Sequence, residues 1–360
     1  MTSDYTSTGA RVARNELQSL LESMFQSIGM TDGDATLLSD SLIVADLSGT
    51  HSHGVLRVPE YVKKMTTDGV NPAGRPQIIK DRGSAMVIDG DNAMGQIACT
   101  FAMQQVIARA RDTDIAAAAI RGSNHCGACG YYAEMALPEN MIGIATTNAL
   151  PTMAPEGGAD PILGIDPLAV AIPAGKEHPI SYDAAFSGTA HGKIRVYEQK
   201  GLSLPEGWAL DGDGVPTIDP TAAISGLLLP IGGFKGASMA MIMGILSSML
   251  SGAAYGTELG TMVDGPIAGQ DGQFVMALNV ASFVDVDEFK SRVDAAIRQV
   301  HESRRAPGVE RVWVAGEREF ETRVINSERG IPLNDVTLRD IRLSAEEQGI
   351  DTSPYGWLAA

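Results

Sequence analysis

Cysteine, positive charge and long apolar runs are all scarce in this sequence, and each scarcity excludes something. Three cysteines (Cys99, Cys126, Cys129) in 360 residues make no disulfide framework, which points to a reducing compartment, the cytoplasm. Lys and Arg number 27 against 44 Asp and Glu, a formal charge of −17. So acidic a chain repels a phosphate backbone and an anionic membrane face, so neither nucleic acid nor membrane is an expected partner. No stretch reaches the ~20 apolar residues of a bilayer-spanning helix. The longest candidate, 237–254, is rich in Gly, Ser and Met and is expected to be a core helix buried on both sides. Residues 1–14 mix Ser, Thr, Asp and Arg without an apolar centre, so they do not read as a signal peptide.

What is present is ordinary globular composition, 44% hydrophobic and 20% charged, in a length that suggests two or three structural units. Val12, Leu17, Leu20, Leu21, Met24, Phe25 and Ile28 recur at spacings of three and four, the stripe of an amphipathic helix. Thr31-Asp32-Gly33-Asp34 breaks and caps, and a second helix carries Leu37, Leu38, Leu42 and Ile43. A third helix is expected over 57–67, before a Pro-rich turn at 71–76. Beyond it the pattern alternates, with strands at 85–90, 115–120, 142–147, 168–172 and 274–283 and helices at 96–111, 123–137 and 287–304. Residues 205–220 read as loop, with tight turns at Asp211-Gly212-Asp213-Gly214. Alternating strands and helices predict an α/β architecture around a mixed sheet.

Four polar clusters could carry chemistry. Thr50-His51-Ser52-His53-Gly54-Val55-Leu56-Arg57 offers His as a proton donor near neutral pH. Arg57 lies four residues on, where a guanidinium could clamp a carboxylate. A solvated helix N-terminus is the plainer alternative, and His51-x-His53 as a metal pair the more exotic one, lacking further ligands at metal spacing. The second cluster, Gly122-Ser123-Asn124-His125-Cys126-Gly127-Ala128-Cys129, places His125 at a strand-to-helix junction, where free N–H groups can bind anions. Its C-x-x-C has no second pair, and buried thiols fit better than a metal or dithiol centre. The third, 179–188, offers Asp183 either to orient a His or simply to cap a helix, with Ser187 as another cap. The fourth, Pro230-Ile231-Gly232-Gly233-Phe234-Lys235-Gly236, is a Gly-rich loop that a ligand could approach closely, with Lys235 near a phosphate or ribose.

Taken in order, these clusters resemble the malate/L-lactate dehydrogenase family that is distinct from the Rossmann lactate dehydrogenases and includes ureidoglycolate, sulfolactate and diketogulonate oxidoreductases and piperideine-2-carboxylate reductases. The resemblance is carried by Ala45-Asp46-Leu47-Ser48-Gly49 with Ser52-His53-Gly54 and Arg57, by Ser123-Asn124-His125 with Gly130-Tyr131-Tyr132, by 164–173, by Asp183 through Gly192-Lys193, by Pro205-Glu206-Gly207-Trp208-Ala209, and by 229–236. It extends over 12–333. It implies a three-layer mixed-sheet fold like that of L-sulfolactate dehydrogenase, without a GxGxxG fingerprint. The expected parts are an N-terminal helical part (1–75), a mixed-sheet cofactor- and substrate-binding part (76–330) and a C-terminal helix and tail (331–360). The implied activity is NAD- or NADP-dependent interconversion of a 2-oxo or cyclic 2-imino acid with its 2-hydroxy or amino acid, in a homodimer, without a metal.

Carried over position by position, the resemblance makes His53 the proton donor, Asp183 its partner, Ser52 a positioning group and His125 a second catalytic candidate. Arg57 and Thr147 would bind the carboxylate substrate. Cofactor contacts would come from His125, Asn148, Ile180, Tyr182, Asp183, Phe186, Phe234, Lys235, Gly316, Glu317 and Arg318. The sequence departs from the family pattern at Cys126 and Cys129, at Ile165-Asp166-Pro167 where Thr-Asn-Pro is usual, and at Phe186 and Phe234. A catalytically silent carboxylate-binding relative and a metal-dependent hydrolase built on His51 and His53 are the alternatives.

Overall fold

The computed structural model describes residues 10–260 and 267–359. Most of the 1–14 segment, read above for a targeting signal, lies outside the described residues.

The N-terminal stripe folds as a helix with a later start than its spacing suggests. Val12 is drawn into a two-residue strand, β1 (Arg11–Val12), and α1 runs Arg14–Ser27, burying Leu17, Leu20, Leu21, Met24 and Phe25. Helix α2 (Asp32–Leu47) opens where Thr31 Oγ1 accepts the Asp34 N–H at 3.3 Å, satisfying one of the unpaired donors of the first turn. Two 3-10 turns, His51–His53 and Val55–Arg57, lead into α3 (Val58–Thr66), which carries Pro59 in its first turn, where a missing N–H is harmless.

The alternating region builds one sheet. Strands β2 (Gln77–Asp81) and β3 (Ala85–Asp89) are followed by α4 (Gly95–Thr113), β4 (Ile115–Ser123), α5 (Gly130–Glu134), β5 (Met141–Thr147), β6 (Leu168–Ile172), β7 (Ile180–Ala184) and α6 (His191–Gln199). A small antiparallel sheet, β8 (Ala209–Leu210), β9 (Pro216–Thr217) and β10 (Leu227–Leu228), encloses α7 (Pro220–Ile224). Then come α8 (Phe234–Ser248), β11 (Asp271–Asn279), α9 (Val286–His301), α10 (Glu317–Arg329), β12 (Ile331–Pro332) and α11 (Asp335–Glu347). The large sheet has the order β2-β3-β4-β11-β5-β6-β7, and only β3 and β4 run parallel, joined through α4. β1 pairs with β12, so the C-terminal part returns to the first helices.

Several expectations shift. Residues 205–220 are not pure loop: β8 and β9 form a hairpin whose turn is tied by Asp211 Oδ1 accepting the N–H groups of Asp213 and Val215. The helix expected from Ser123 begins only at Gly130, because β11 pairs Asp271 with Ser123 and holds those residues in β4. Asp183 lies inside β7 and starts no helix of its own, and α6 starts after Ala190, not at Ser187. Helix α8 is not buried on both sides: Gly236, Ala240, Met243, Gly244 and Ser247 are buried, whereas Phe234, Met241 and Ile242 are exposed. No helix of the described residues is long and apolar enough to cross a membrane.

Three apolar clusters hold the elements. One joins α1, α2 and α3 to Ile331, Leu333, Leu338 and Ile341 of the C-terminal part. A second fills the space between α4, α5 and one sheet face, with Ala116, Ala118, Ala145, Ala169, Ala171 and Ala277 presenting small side chains. Alanine is a weak strand former, but here it lets helices approach closely. Gly143 in β5 goes further: a Cβ there would sit 2.1 Å from the Ala133 carbonyl oxygen, so only glycine admits α5 at this distance. On the opposite face Ser247 of α8 donates to Thr146 Oγ1 at 3.4 Å. The third cluster, including Met153, Phe186, Leu228 and Ala240, joins the small sheet to α8.

Candidate active site

The site begins with Asp46 at the end of α2. Its Oδ1 lies 2.6 Å from His51 Nδ1 and its Oδ2 accepts the Val55 N–H at 2.7 Å, so one buried carboxylate braces the whole loop between α2 and α3. Burial raises the Asp46 pKa, while His51 and the Val55 N–H pull it back. A Cβ on Gly54 would fall 2.2 Å from Asp46 Oδ2, so glycine is required there for close approach rather than for an unusual φ. His51 is thereby a brace of the loop, and His53, two residues on, is left to face inward.

Ser52 Oγ sits 2.9 Å from His53 Nδ1, and Arg57 Nε donates to the Ser52 carbonyl at 2.9 Å. Arg57 Nη1 also donates to Glu60 Oε2 at 2.7 Å. The His53 ring stacks on His125, with centroids 5.7 Å apart and planes 13° from parallel. Burial, and then the Arg57 charge, lower the His53 pKa to about 4. His125 is likewise held well below the ordinary histidine value by burial, with Arg57, His53 and Lys64 adding to it. Two neutral imidazoles therefore face each other beside a cation.

His125 comes from the segment just past β4. Its Nδ1 lies 2.7 Å from Tyr61 OH on α3, and Gln96 Nε2 on α4 donates to that hydroxyl at 3.1 Å. Thr147, at the end of β5, is within 3.4 Å of Gln273 Nε2, which also donates to the Asn124 carbonyl at 3.2 Å. Beside it the Cys99, Cys126 and Cys129 side chains act on one another, and all three cysteines are free and buried. Among the described residues no three His, Cys, Asp or Glu side chains group to hold a metal.

The remaining sequence-derived residues fall into two sets. Asp183 Oδ2 accepts the Gly130 N–H at 2.7 Å, and burial raises its carboxyl to about 6; its hydrogen bond goes to the start of α5, not to His53. Asn148 ties β5 to the head of β11, donating to the Ala254 carbonyl at 2.8 Å and accepting from Gly272 N at 3.1 Å. Gly316 meets β7: Ser181 N donates to the Ala315 carbonyl at 3.0 Å, and a Cβ on Gly316 would lie 2.8 Å from the Ser181 carbonyl. Residues 180–183 and 316–318, far apart in sequence, thus form one surface. On it Tyr182 is 38% exposed and Arg318 stacks over Trp313 at 4.9 Å. Glu317 is turned inward, its carboxylate 2.7 Å from His301 Nε2 and accepting the Val314 N–H at 2.9 Å, so it holds the segment in place. Phe186 is a core residue linked to the fourth cluster, its carbonyl accepting from Ile231 N at 2.8 Å, while Phe234 is 61% exposed beside Lys235.

Sequence reasoning missed Tyr61, Lys64, Gln96 and Asp271. Arg57, Tyr61 and Lys64 are four and three residues apart, a stripe down one face of α3, and that spacing was available to find them. Lys64 is only 7% exposed, and its charge acts on both His125 and Asp271. Asp271 and Gln96 carry no such signal, since each reaches the site only through tertiary packing.

A family model described as malate/L-lactate dehydrogenase matches residues 12–342. A malate dehydrogenase of Pyrococcus abyssi is 37% identical over 348 residues, covering 94% of this chain and 95% of its own length. A Δ1-pyrroline-2-carboxylate/Δ1-piperideine-2-carboxylate reductase of Pseudomonas putida is 31% identical, covering 95% of this chain and 99% of its own length. The solved structure of the sulfolactate dehydrogenase from Methanocaldococcus jannaschii superposes with a TM-score of 0.90 at 32% identity, covering 96% of this chain and 99% of that one.

Proposed function

The chain belongs to the malate/L-lactate dehydrogenase family of oxidoreductases, and from that premise we propose that it interconverts a 2-oxo or cyclic 2-imino acid with the matching 2-hydroxy or amino acid, using NAD or NADP. The observation that carries the proposal is the His53–His125 stack set beside Arg57 on the adjoining turn. Such a site needs a cation to hold a carboxylate and a nearby group to exchange a proton with the reacting oxygen or nitrogen.

In this reading Arg57 takes the substrate carboxylate. Its guanidinium is occupied by Glu60 and the Ser52 carbonyl, so binding exchanges one carboxylate partner for another while Ser52 keeps the fork oriented. His53 is the proton donor in reduction and the acceptor in oxidation, with Ser52 Oγ holding its Nδ1. An anionic substrate between Arg57 and His53 offsets the Arg57 charge, which adds to burial in keeping the imidazole neutral, so binding itself moves His53 towards its acid form.

The surface formed by residues 180–183 and 316–318 fits a dinucleotide. It has an exposed aromatic ring at Tyr182, the cation Arg318 and a glycine where backbone meets backbone, and in this reading the exposed Phe234 and Lys235 at the start of α8 add further cofactor contacts. When bound, the nicotinamide supplies or accepts the hydride. Asp183 and Gly130 would fix the strand that presents this surface to the histidines. The proposal extends to a cytoplasmic homodimer, supported by the apolar residues that α8 leaves exposed, and to the three-part organisation 1–75, 76–330 and 331–360, the first and last parts sharing one core.

The test is absorbance at the reduced-nicotinamide band with a panel of 2-oxo acids and cyclic imines, using NADH and NADPH in turn. Oxidation of one cofactor by a carboxylate substrate, lost in His53→Ala, is the expected result. No turnover together with no cofactor binding by titration overturns the proposal.

A further inference from the structure

We propose that Gln96, acting through Tyr61, is a positioning residue that locks His125 in the tautomer carrying its proton on Nε2, so that His125 presents a fixed N–H donor to the carbonyl or imine being reduced. The inference rests on the function proposed above for its substrate, but its structural half stands without it.

The argument starts from a donor whose polarity is fixed. The backbone N–H of Gly127 points at His125 Nδ1 over 3.4 Å, and a peptide N–H can only donate. Nδ1 is therefore the bare nitrogen. Tyr61 OH, 2.7 Å from the same atom, must then donate to it, and Gln96, 3.1 Å from Tyr61 OH, must supply its NH2 group to the phenol oxygen. Turning the Gln96 amide over would set its carbonyl oxygen against a phenol whose hydrogen is already committed to His125. Gln96 is fully buried and its Oε1 has no hydrogen-bond partner, so the one polar contact its amide makes here is the one to Tyr61.

The relay is held by packing. A Cβ on Gly95 would fall 2.1 Å from the Asn124 carbonyl and 2.7 Å from Cys126 Cα, so glycine alone lets the first turn of α4 lie directly on the His125 loop. Gln96, the next residue, is thereby placed over Tyr61. A neutral imidazole with its proton fixed on one nitrogen polarises a carbonyl as a hydrogen-bond donor without surrendering the proton, which leaves proton transfer to His53.

The test is 15N NMR of histidine-labelled full-length protein, with the His125 signals assigned by their loss in His125→Asn. The wild type should show bare Nδ1 and protonated Nε2. In Gln96→Glu the carboxylate accepts the Tyr61 O–H hydrogen bond, the phenol oxygen turns its lone pair to His125, and the proton of His125 moves to Nδ1 against the long Gly127 contact, or the ring ionises at higher pH. Its kcat should fall by about 10²-fold with KM little changed, because Arg57 still holds the carboxylate. Tyr61→Phe provides a second reading if the buried glutamate prevents folding: it leaves only the long 3.4 Å Gly127 contact on Nδ1 in place of the 2.7 Å bond, too weak to hold one tautomer alone, so it should mix the two tautomers and lower kcat in the same way. A wild-type proton on Nδ1, or variants whose His125 signals and kcat match the wild type, overturns the inference. If wild-type protein turns over no substrate yet shows the expected tautomers and their shift, the proposed function fails and the relay stands.

Discussion

His53 and His125 stack with ring centroids 5.7 Å apart and planes 13° from parallel, although α3, β2, β3, α4 and β4 lie between them along the chain. Neither ring can gain a charge without acting on the other and on Arg57, and this coupling shapes the pH behaviour of the site.

The His53 pKa is lowered to about 4, by burial first and by Arg57 second. In the free enzyme the base form of His53 dominates above that value. kcat/KM for hydroxy-acid oxidation should therefore be flat from about pH 5 upward as far as His53 governs it, while reduction should speed up as pH falls. Arg57→Met should move the acid limb to higher pH. The same depression makes folding less favourable as pH falls from the ordinary histidine value of 6.5 through about 4. Wild type should lose Tm over that window more steeply than His53→Asn, and equal slopes in the two proteins would contradict the assignment.

His53→Ala should reduce turnover by about 10²-fold or more, whereas Arg57→Ala should chiefly raise KM. Steady-state kinetics on the best substrate separate these effects. Wild-type rates in both variants would remove them from the site.

Gly54→Ala tests the Asp46 brace. The new methyl group would lie about 2.2 Å from the carboxylate that holds His51 and the Val55 N–H, so the loop must move. A loss of about 1–3 kcal/mol is expected, measured by denaturant unfolding, with a fall in kcat larger than stability alone explains because His53 sits on the displaced turn.

Asp166 replaces the family's usual Asn and is 2% exposed, accepting the Ala149 N–H at 2.7 Å. Burial raises its carboxyl to about 7. A folded-state pKa above the unfolded value near 4 gives stability that is full at acid pH and is lost as pH rises through about 7. Asp166→Asn keeps an oxygen for Ala149 without the charge. It should be more stable than wild type at pH 8, on the order of 2 kcal/mol, with the difference vanishing near pH 4. An equal or lower Tm at pH 8 would show that the carboxylate is accommodated in its charged form. The position pins backbone, its carboxylate turned onto the Ala149 N–H.

Much of this molecule could be read from local pattern. The α1 stripe, the alternation from Ala85 onward and the Ser52-His53-Gly54 and Ser123-Asn124-His125 segments needed only neighbours in sequence, because helix and strand periodicities are local properties of the chain. The order of motifs was enough to place the family. What local pattern could not supply was everything set by close approach. The central place of β11, the surface shared by Ser181 and Gly316, the half-exposed α8 and the Gln96–Tyr61–His125 relay all depend on which backbones come within van der Waals distance. Glycines at 54, 95, 143 and 316 permit those approaches, but their partners lie across the fold. Local periodicity and composition are enough to set the elements and the chemical groups available to the site. It takes the packed fold to bring two distant imidazoles face to face and to leave one nitrogen of His125 to carry the proton.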